Sequence, residues 1–253
     1  MKGQIFYSAG HTAALNYTVD ALRRKGCTVV DSPKSEVTHL LLDAPAFASD
    51  SKLKSGKDLK EILSLLPDRI TVCGGNLQHP DLADYKIVDL LQDPLYLAEN
   101  ARITAHCAVK LAMDRLPVTL WGCHVLVVGW GRIGKCLTAL LKAMGAIVTI
   151  ATRQESQRAI LLALGYDALD ANDLGYSLQR FRVIFNTAPV LLLPREAMQY
   201  CRTDCLKMDL ASQPGIEAED VIWARGLPGK EAPETSGELV ARTVLRLIAG
   251  KEN

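Results

Sequence analysis

The chain has 253 residues, 49% of them hydrophobic, and carries 29 Lys and Arg against 28 Asp and Glu. That length and apolar content suit one large or two modest domains with real cores, and a net charge of +1 argues against a nucleic-acid arm or a basic membrane-binding face. No apolar run approaches the roughly 20 residues of a spanning helix, and the start, Met1 to Tyr7, lacks the long apolar stretch and cleavage site of a signal peptide.

The predicted elements alternate between strands and helices, the pattern of an α/β protein with parallel sheets. A strand at Ile5-Phe6-Tyr7 leads to a helix over 12–25 that Gly26 ends. Strands follow at 28–30 and 39–42, then a helix over 59–66, a strand at 70–72 running into Gly74-Gly75, and a short strand near 86–90. This first domain covers 1–93 and is expected to lie on the substrate side. Ala101, Ala105, Ala108, Ala112 and Leu116 recur at helical spacing up to Pro117, which predicts an interdomain helix over 94–117.

The second domain, 118–253, opens with His124-Val125-Leu126-Val127-Val128, an apolar run suited to a parallel strand buried on both faces. A periodic helix with Ile133, Cys136, Leu137, Leu140, Leu141 and Met144 on one side follows, then a strand at 147–150 and a helix over 155–164. Further strands are expected at 182–185, 205–210 and 221–224. A last helix is expected to begin at Thr235-Ser236-Gly237-Glu238, a capping-box spacing, and to pack its apolar face on this sheet. The fold class is therefore α/β, two Rossmann-like domains with parallel sheets, the C-terminal one doubly wound and dinucleotide-binding.

The central motif is Gly129-Trp130-Gly131-Arg132-Ile133-Gly134. Gly129 permits the tight strand-to-helix turn, Gly131 lets the backbone approach a pyrophosphate, and Gly134 lets helix and strand pack closely. The helix N-terminus then offers free N–H groups to the phosphates, with Arg132 beside them. A glycine-rich turn alone is weak, but the βαβ context around this one makes the nicotinamide dinucleotide the expected cofactor. NAD would call for an acidic residue at the end of the second strand. Ala151-Thr152-Arg153-Gln154 stands there instead, so Thr152 and Arg153 point to a 2′-phosphate and to NADP in preference to NAD.

Three post-strand segments are expected to face the nicotinamide, since ligands lie beyond the carboxyl ends of such strands. They are Asn186-Thr187-Ala188-Pro189, Asp209-Leu210-Ala211-Ser212-Gln213-Pro214-Gly215, and the loop from Arg225 to Pro233. Thr187, Ala188, Pro189, Leu210, Ala211, Ser212, Leu227 and Pro228 join the expected cofactor contacts. The seven scattered cysteines form no C-x-x-C, and Cys201 and Cys205 lack a nearby His, so reduced thiols, a cytoplasmic protein and no metal are expected.

Residues 126–134, 186–189, 209–215 and above all Gly226-Leu227-Pro228-Gly229-Lys230-Glu231-Ala232-Pro233-Glu234-Thr235-Ser236-Gly237-Glu238 resemble the dipicolinate synthase A-type family. The resemblance runs from about Asn100 to the end. It implies an NADP-dependent oxidoreductase subunit that helps turn a hydroxylated tetrahydrodipicolinate into dipicolinate during sporulation, together with a flavoprotein-like B-type partner. The family's usual T-A-E-G run is Thr104-Ala105-His106-Cys107 here, and the N-terminal domain is shorter.

A dicarboxylate substrate calls for cationic and hydroxyl donors, and Arg225, Lys230 and Ser212 sit in the right segments, while His106 is a candidate proton shuttle. His11, His39, His79 and His124 have weaker claims. A homo-oligomer is expected. The other readings are a 2-hydroxyacid or adenosylhomocysteinase-like dehydrogenase, and a non-catalytic NADP-binding subunit.

Overall fold

The computed structural model describes residues 3–250. In chain order the elements are β1 (Ile5–Ser8), α1 (Ala13–Arg24), β2 (Thr28–Val30), β3 (His39–Leu41), α2 (Leu59–Ser64), β4 (Thr71–Gly74), β5 (Lys86–Asp89) and α3 (Pro94–Met113). Then come β6 (His124–Val128), α4 (Arg132–Ala143), β7 (Ile147–Thr152), α5 (Glu155–Ala163), β8 (Asp167–Asp170), β9 (Val183–Asn186) and α6 (Arg195–Met198). The last are β10 (Leu206–Asp209), β11 (Val221–Trp223), α7 (Leu227–Glu231) and α8 (Pro233–Ala249). The chain divides into two compact units, Met1–Asn100 with Pro228–Asn253, and Ala101–Leu227.

The first unit holds a five-stranded sheet in the order β2-β1-β3-β4-β5, every pairing parallel. Its core gathers Leu40, Leu42, Val72, Ile62 and Leu82 around the middle strands. The amphipathic helix α1 is capped by Thr12, whose hydroxyl accepts the Leu15 N–H, and Arg23 and Arg24 lie in its last turn, where cations offset the helix dipole.

The second unit holds a six-stranded sheet in the order β11-β10-β9-β6-β7-β8, again with every pairing parallel. Two windings diverge from the β6–β9 junction, which is the doubly wound arrangement. Val125 to Val128 and Val183 to Phe185 are fully buried, as strands covered on both faces require. Helix α4 presents Gly134, Leu137, Thr138 and Leu141 to the interior.

Three expectations are corrected. Helix α8 does not pack on the six-stranded sheet. It lies in the first unit against α1, where Gly237 meets the Ala14 backbone, so the second unit ends near Leu227 rather than at the C-terminus. The capping box at Thr235 is not used, because Pro233 at the first helical position starts α8 earlier, after Ala232. The segment expected as a loop up to Pro233 forms α7 over Leu227–Glu231 instead, after Gly226 at φ +67°. Strand β8, with Asp at both ends, has no counterpart among the predicted elements. It is an edge strand whose residues are half-buried or exposed, so it lacks the apolar alternation that marks strands in a sequence.

Candidate functional site

The Gly129–Gly134 turn leaves β6 and opens α4. Gly129 sits at φ +101°, a left-handed conformation that favours glycine, and a Cβ there would stand 2.5 Å from the Thr187 hydroxyl. Gly134 is equally constrained: its Cβ would stand 2.1 Å from the Gly129 carbonyl oxygen. Gly131 is different. Its φ of −81° is open to any residue, and a Cβ added there would meet nothing within 4 Å. The fold therefore has no need of glycine at 131, whereas a pyrophosphate lying against the backbone does. Gly131 is also the N-cap of α4 and supplies no side-chain acceptor, so the first N–H groups of the helix remain open to an anion. The residues present fit a dinucleotide phosphate group.

Neighbouring strand ends brace this turn. The Thr187 N–H donates to the Val128 carbonyl at 2.8 Å, and its hydroxyl donates to the same oxygen at 3.0 Å. The Gly129 N–H donates to Ala151 at 2.8 Å. Trp130 is half-buried with the Tyr166 ring 6.1 Å away, and Arg132 is exposed at the start of α4.

At the end of β7, Thr152 is buried and donates its hydroxyl to Gln157 Oε1 at 2.7 Å, so it shapes the loop from within. Arg153 is exposed. Sequence reasoning missed Arg158. Its guanidinium donates to the carbonyls of Thr152 and Arg153, both at 2.9 Å, and pairs with Asp170 at 3.1 Å. It fixes the backbone from which Arg153 projects.

A second missed feature lies across β9 and β10. Asn186 and Asp209 are fully buried side by side, with Asn186 Nδ2 donating to Asp209 Oδ1 at 2.9 Å. Asp209 also accepts the N–H groups of Ala211 at 3.0 Å and Gly215 at 2.6 Å, while Asn186 Oδ1 accepts that of Ala188 at 3.1 Å. One buried amide and one carboxylate thus set the course of both post-strand loops, satisfying backbone groups that would otherwise be costly to bury. In the sequence each stands only as a polar residue at the end of a strand, after Val183-Ile184-Phe185 and after Leu206-Lys207-Met208.

Because all six strands are parallel, Gly129 to Gly134, Thr152-Arg153, Thr187 to Pro189, Leu210 to Ser212 and Arg225 collect at one edge of one sheet. Ser212 is exposed, and Arg225 is exposed with its guanidinium 5.1 Å from the Trp223 ring centroid, whose indole N–H donates to Ala211 at 3.2 Å. Leu227 is buried at the start of α7. Pro228 and Lys230 belong to the first unit. His106 lies on the exposed face of α3, between the buried Ala105 and Cys107. Among the described residues no three His, Cys, Asp or Glu side chains gather as a metal site, and no helix is long and apolar enough to cross a membrane.

No family model matches the chain. The sequence is 27% identical over 175 residues to the A component of dipicolinate synthase from Bacillus subtilis (strain 168), a match covering 66% of this chain and 59% of that protein. The chain thus spans about three fifths of the curated relative's length. Among solved structures, the same component from Bacillus halodurans superposes with a TM-score of 0.80 at 20% identity, over 98% of each chain. Its Bacillus subtilis counterpart gives a TM-score of 0.80 at 21% identity, over 99% of this chain and 97% of that one. A transhydrogenase from Sinorhizobium meliloti follows at 0.69 and 13% identity, over 97% and 93%. The resemblance read from the motifs thus holds in sequence and in fold.

Proposed function

We propose that the chain is a nicotinamide-dinucleotide-dependent oxidoreductase subunit of the dipicolinate synthase A kind, with NADP preferred. The open backbone at Gly131, a glycine the fold does not need, is the observation that carries the cofactor reading. The dehydrogenase-type fold and the 27% identity to the A component of a dipicolinate synthase support the reaction class. Gly129 to Gly134 and the first turn of α4 would hold the pyrophosphate, Arg153 the 2′-phosphate, and Thr187 to Pro189 with Leu210 to Ser212 the nicotinamide side.

When bound, the nicotinamide supplies a hydride acceptor. The residues of this chain bind and orient. The Asn186–Asp209 pair keeps two loops in place without reorganisation, and Arg225 and Ser212 offer exposed donors for a substrate carboxylate. The substrate in this reading is a hydroxylated tetrahydrodipicolinate, the partner a flavoprotein-like B-type protein, and the setting the cytoplasm of a sporulating cell.

The test incubates the purified full chain with freshly generated hydroxylated tetrahydrodipicolinate and NADP, with and without the candidate B-type partner. Dipicolinate absorbance rising in step with NADPH is the expected outcome. Neither signal in either mixture, with the cofactor shown to bind, refutes the reaction.

A further inference from the structure

The five-stranded sheet has its own topological switch point. In the order β2-β1-β3-β4-β5 the chain winds one way from β1 to β2 and the other way from β3 onward, so the crevice opens beyond the carboxyl ends of β1 and β3. Ligands in open parallel sheets bind at that place. Here it is occupied by Gly10-His11-Thr12, following β1, and by Asp43, following β3.

Asp43 is buried, yet its carboxylate takes four donors: the His11 N–H at 3.1 Å, the Thr12 N–H at 3.3 Å, the Thr12 hydroxyl at 2.6 Å and His11 Nδ1 at 2.9 Å. The carboxylate lies so close to the chain that a Cβ at Gly10 would stand 2.8 Å from its Cγ. An ionised carboxylate only accepts, so Nδ1 must carry the ring proton. Nε2 is then the basic nitrogen, on the side of the ring turned away from Asp43. The His11 side chain is 50% exposed, and no group among the described residues bonds Nε2. A histidine held in one tautomer by a buried carboxylate, with its other nitrogen open at a ligand crevice, is the arrangement of a general base and its orienting partner.

We propose that His11 and Asp43 are an acid–base dyad of a substrate site in the first unit, with His11 the catalytic base and Asp43 its positioning residue. The inference rests on the oxidoreductase reading for the reaction served. In the dehydration that a hydroxylated ring dicarboxylate needs on the way to an aromatic product, a ring C–H bond breaks, its proton passing to His11 Nε2 and its electron pair forming a ring double bond as the neighbouring C–O bond breaks. The leaving hydroxide takes a proton from the imidazolium and departs as water, so His11 is restored with no oxidant required.

Two measurements on the full chain test this separately. Imidazole ¹⁵N spectra, assigned with His11→Ala, are recorded with and without dipicolinate as probe. The expected spectrum shows the Nδ1-protonated tautomer, loses that signature in Asp43→Asn, and shifts at Nε2 on titration with dipicolinate. Turnover is then compared at equal dinucleotide affinity. His11→Ala should lose about 10²-fold or more in kcat and recover in part with added imidazole. A His11 signal indifferent to both Asp43→Asn and saturating dipicolinate overturns the dyad, as does a His11→Ala enzyme retaining more than a tenth of turnover. If the wild-type chain oxidises no such substrate, the functional reading falls, and the dyad is judged on the spectra alone.

Discussion

The buried hydroxyl of Thr18 in α1 reaches the carbonyl of Gly237 in α8 at 3.3 Å, while also donating to Ala14 in its own helix at 2.9 Å. The two helices approach so closely because residue 237 has no side chain: a Cβ there would stand 2.5 Å from the Ala14 carbonyl oxygen and 2.8 Å from the Thr18 nitrogen. Gly237→Ala should therefore destabilise by about 1–3 kcal/mol through overpacking, although alanine is the better helix former by about 1 kcal/mol. Denaturant unfolding measures it. A neutral or stabilising result would mean that the helix contact is looser than described.

That contact shows what the sequence can and cannot say about the distinctive Gly226–Glu238 run. Its residues are legible as a specific motif, but the surface they pack on is not. A motif read from neighbouring residues gives no partner 219 positions away, and the apolar face of α8 is compatible with either sheet. The βαβ turn is legible because strand, glycines and helix are contiguous. Nothing local marks Asp43 until β3 is laid beside β1 and His11 comes within 2.9 Å. Asp209 reads in the sequence only as a polar residue near a strand end, since its value lies in donors at 186, 211 and 215.

The Asp209 carboxylate gives a sharp expectation. Asp209→Asn retains the volume but replaces an acceptor oxygen with an NH₂ group, which must then face the N–H of Gly215 or those of Asn186 and Ala211. Each buried donor left unmet costs about 1–3 kcal/mol. A lower melting temperature together with weaker dinucleotide binding is expected, by calorimetry and fluorescence titration. An unchanged melting temperature would contradict the network.

Arg153 and Arg158 should separate by cofactor. Arg153 is exposed, whereas Arg158 commits its guanidinium to the Thr152 and Arg153 carbonyls and to Asp170. A lost charge-assisted bond costs about 1.5–3 kcal/mol, so Arg153→Ala should weaken NADPH binding roughly 10- to 100-fold and leave NADH unchanged. Arg158→Ala should weaken both, because the loop itself loosens. Isothermal titration with each dinucleotide distinguishes them, and equal losses of NADPH and NADH in Arg153→Ala would end the case for a 2′-phosphate contact.

Alkaline stability should report Tyr96. Burial raises its phenol from 10.0 to about 12, since the charged form is disfavoured away from water. Above about pH 10 the unfolded chain releases this proton while the folded chain holds it, so stability present below pH 10 falls as pH rises toward 12. The loss from this group is on the order of 2 kcal/mol, and Tyr96→Phe should be spared it. Parallel pH–stability curves for the two proteins would show that the phenol is not sheltered.

In the proposed function, Gly131 serves a ligand and not the fold. Its backbone angles suit any residue and its surroundings are open, whereas Gly129 and Gly134 are held by contacts within the chain. The direct measurement is NADPH affinity and melting temperature for Gly131→Ala beside wild type. The expected result is wild-type binding, an essentially unchanged melting temperature in the variant, and an affinity at least about 10-fold lower, the equivalent of roughly 1.4 kcal/mol. A stable variant that binds NADPH as well as wild type, or a wild-type chain that binds neither NADPH nor NADH, would contradict it.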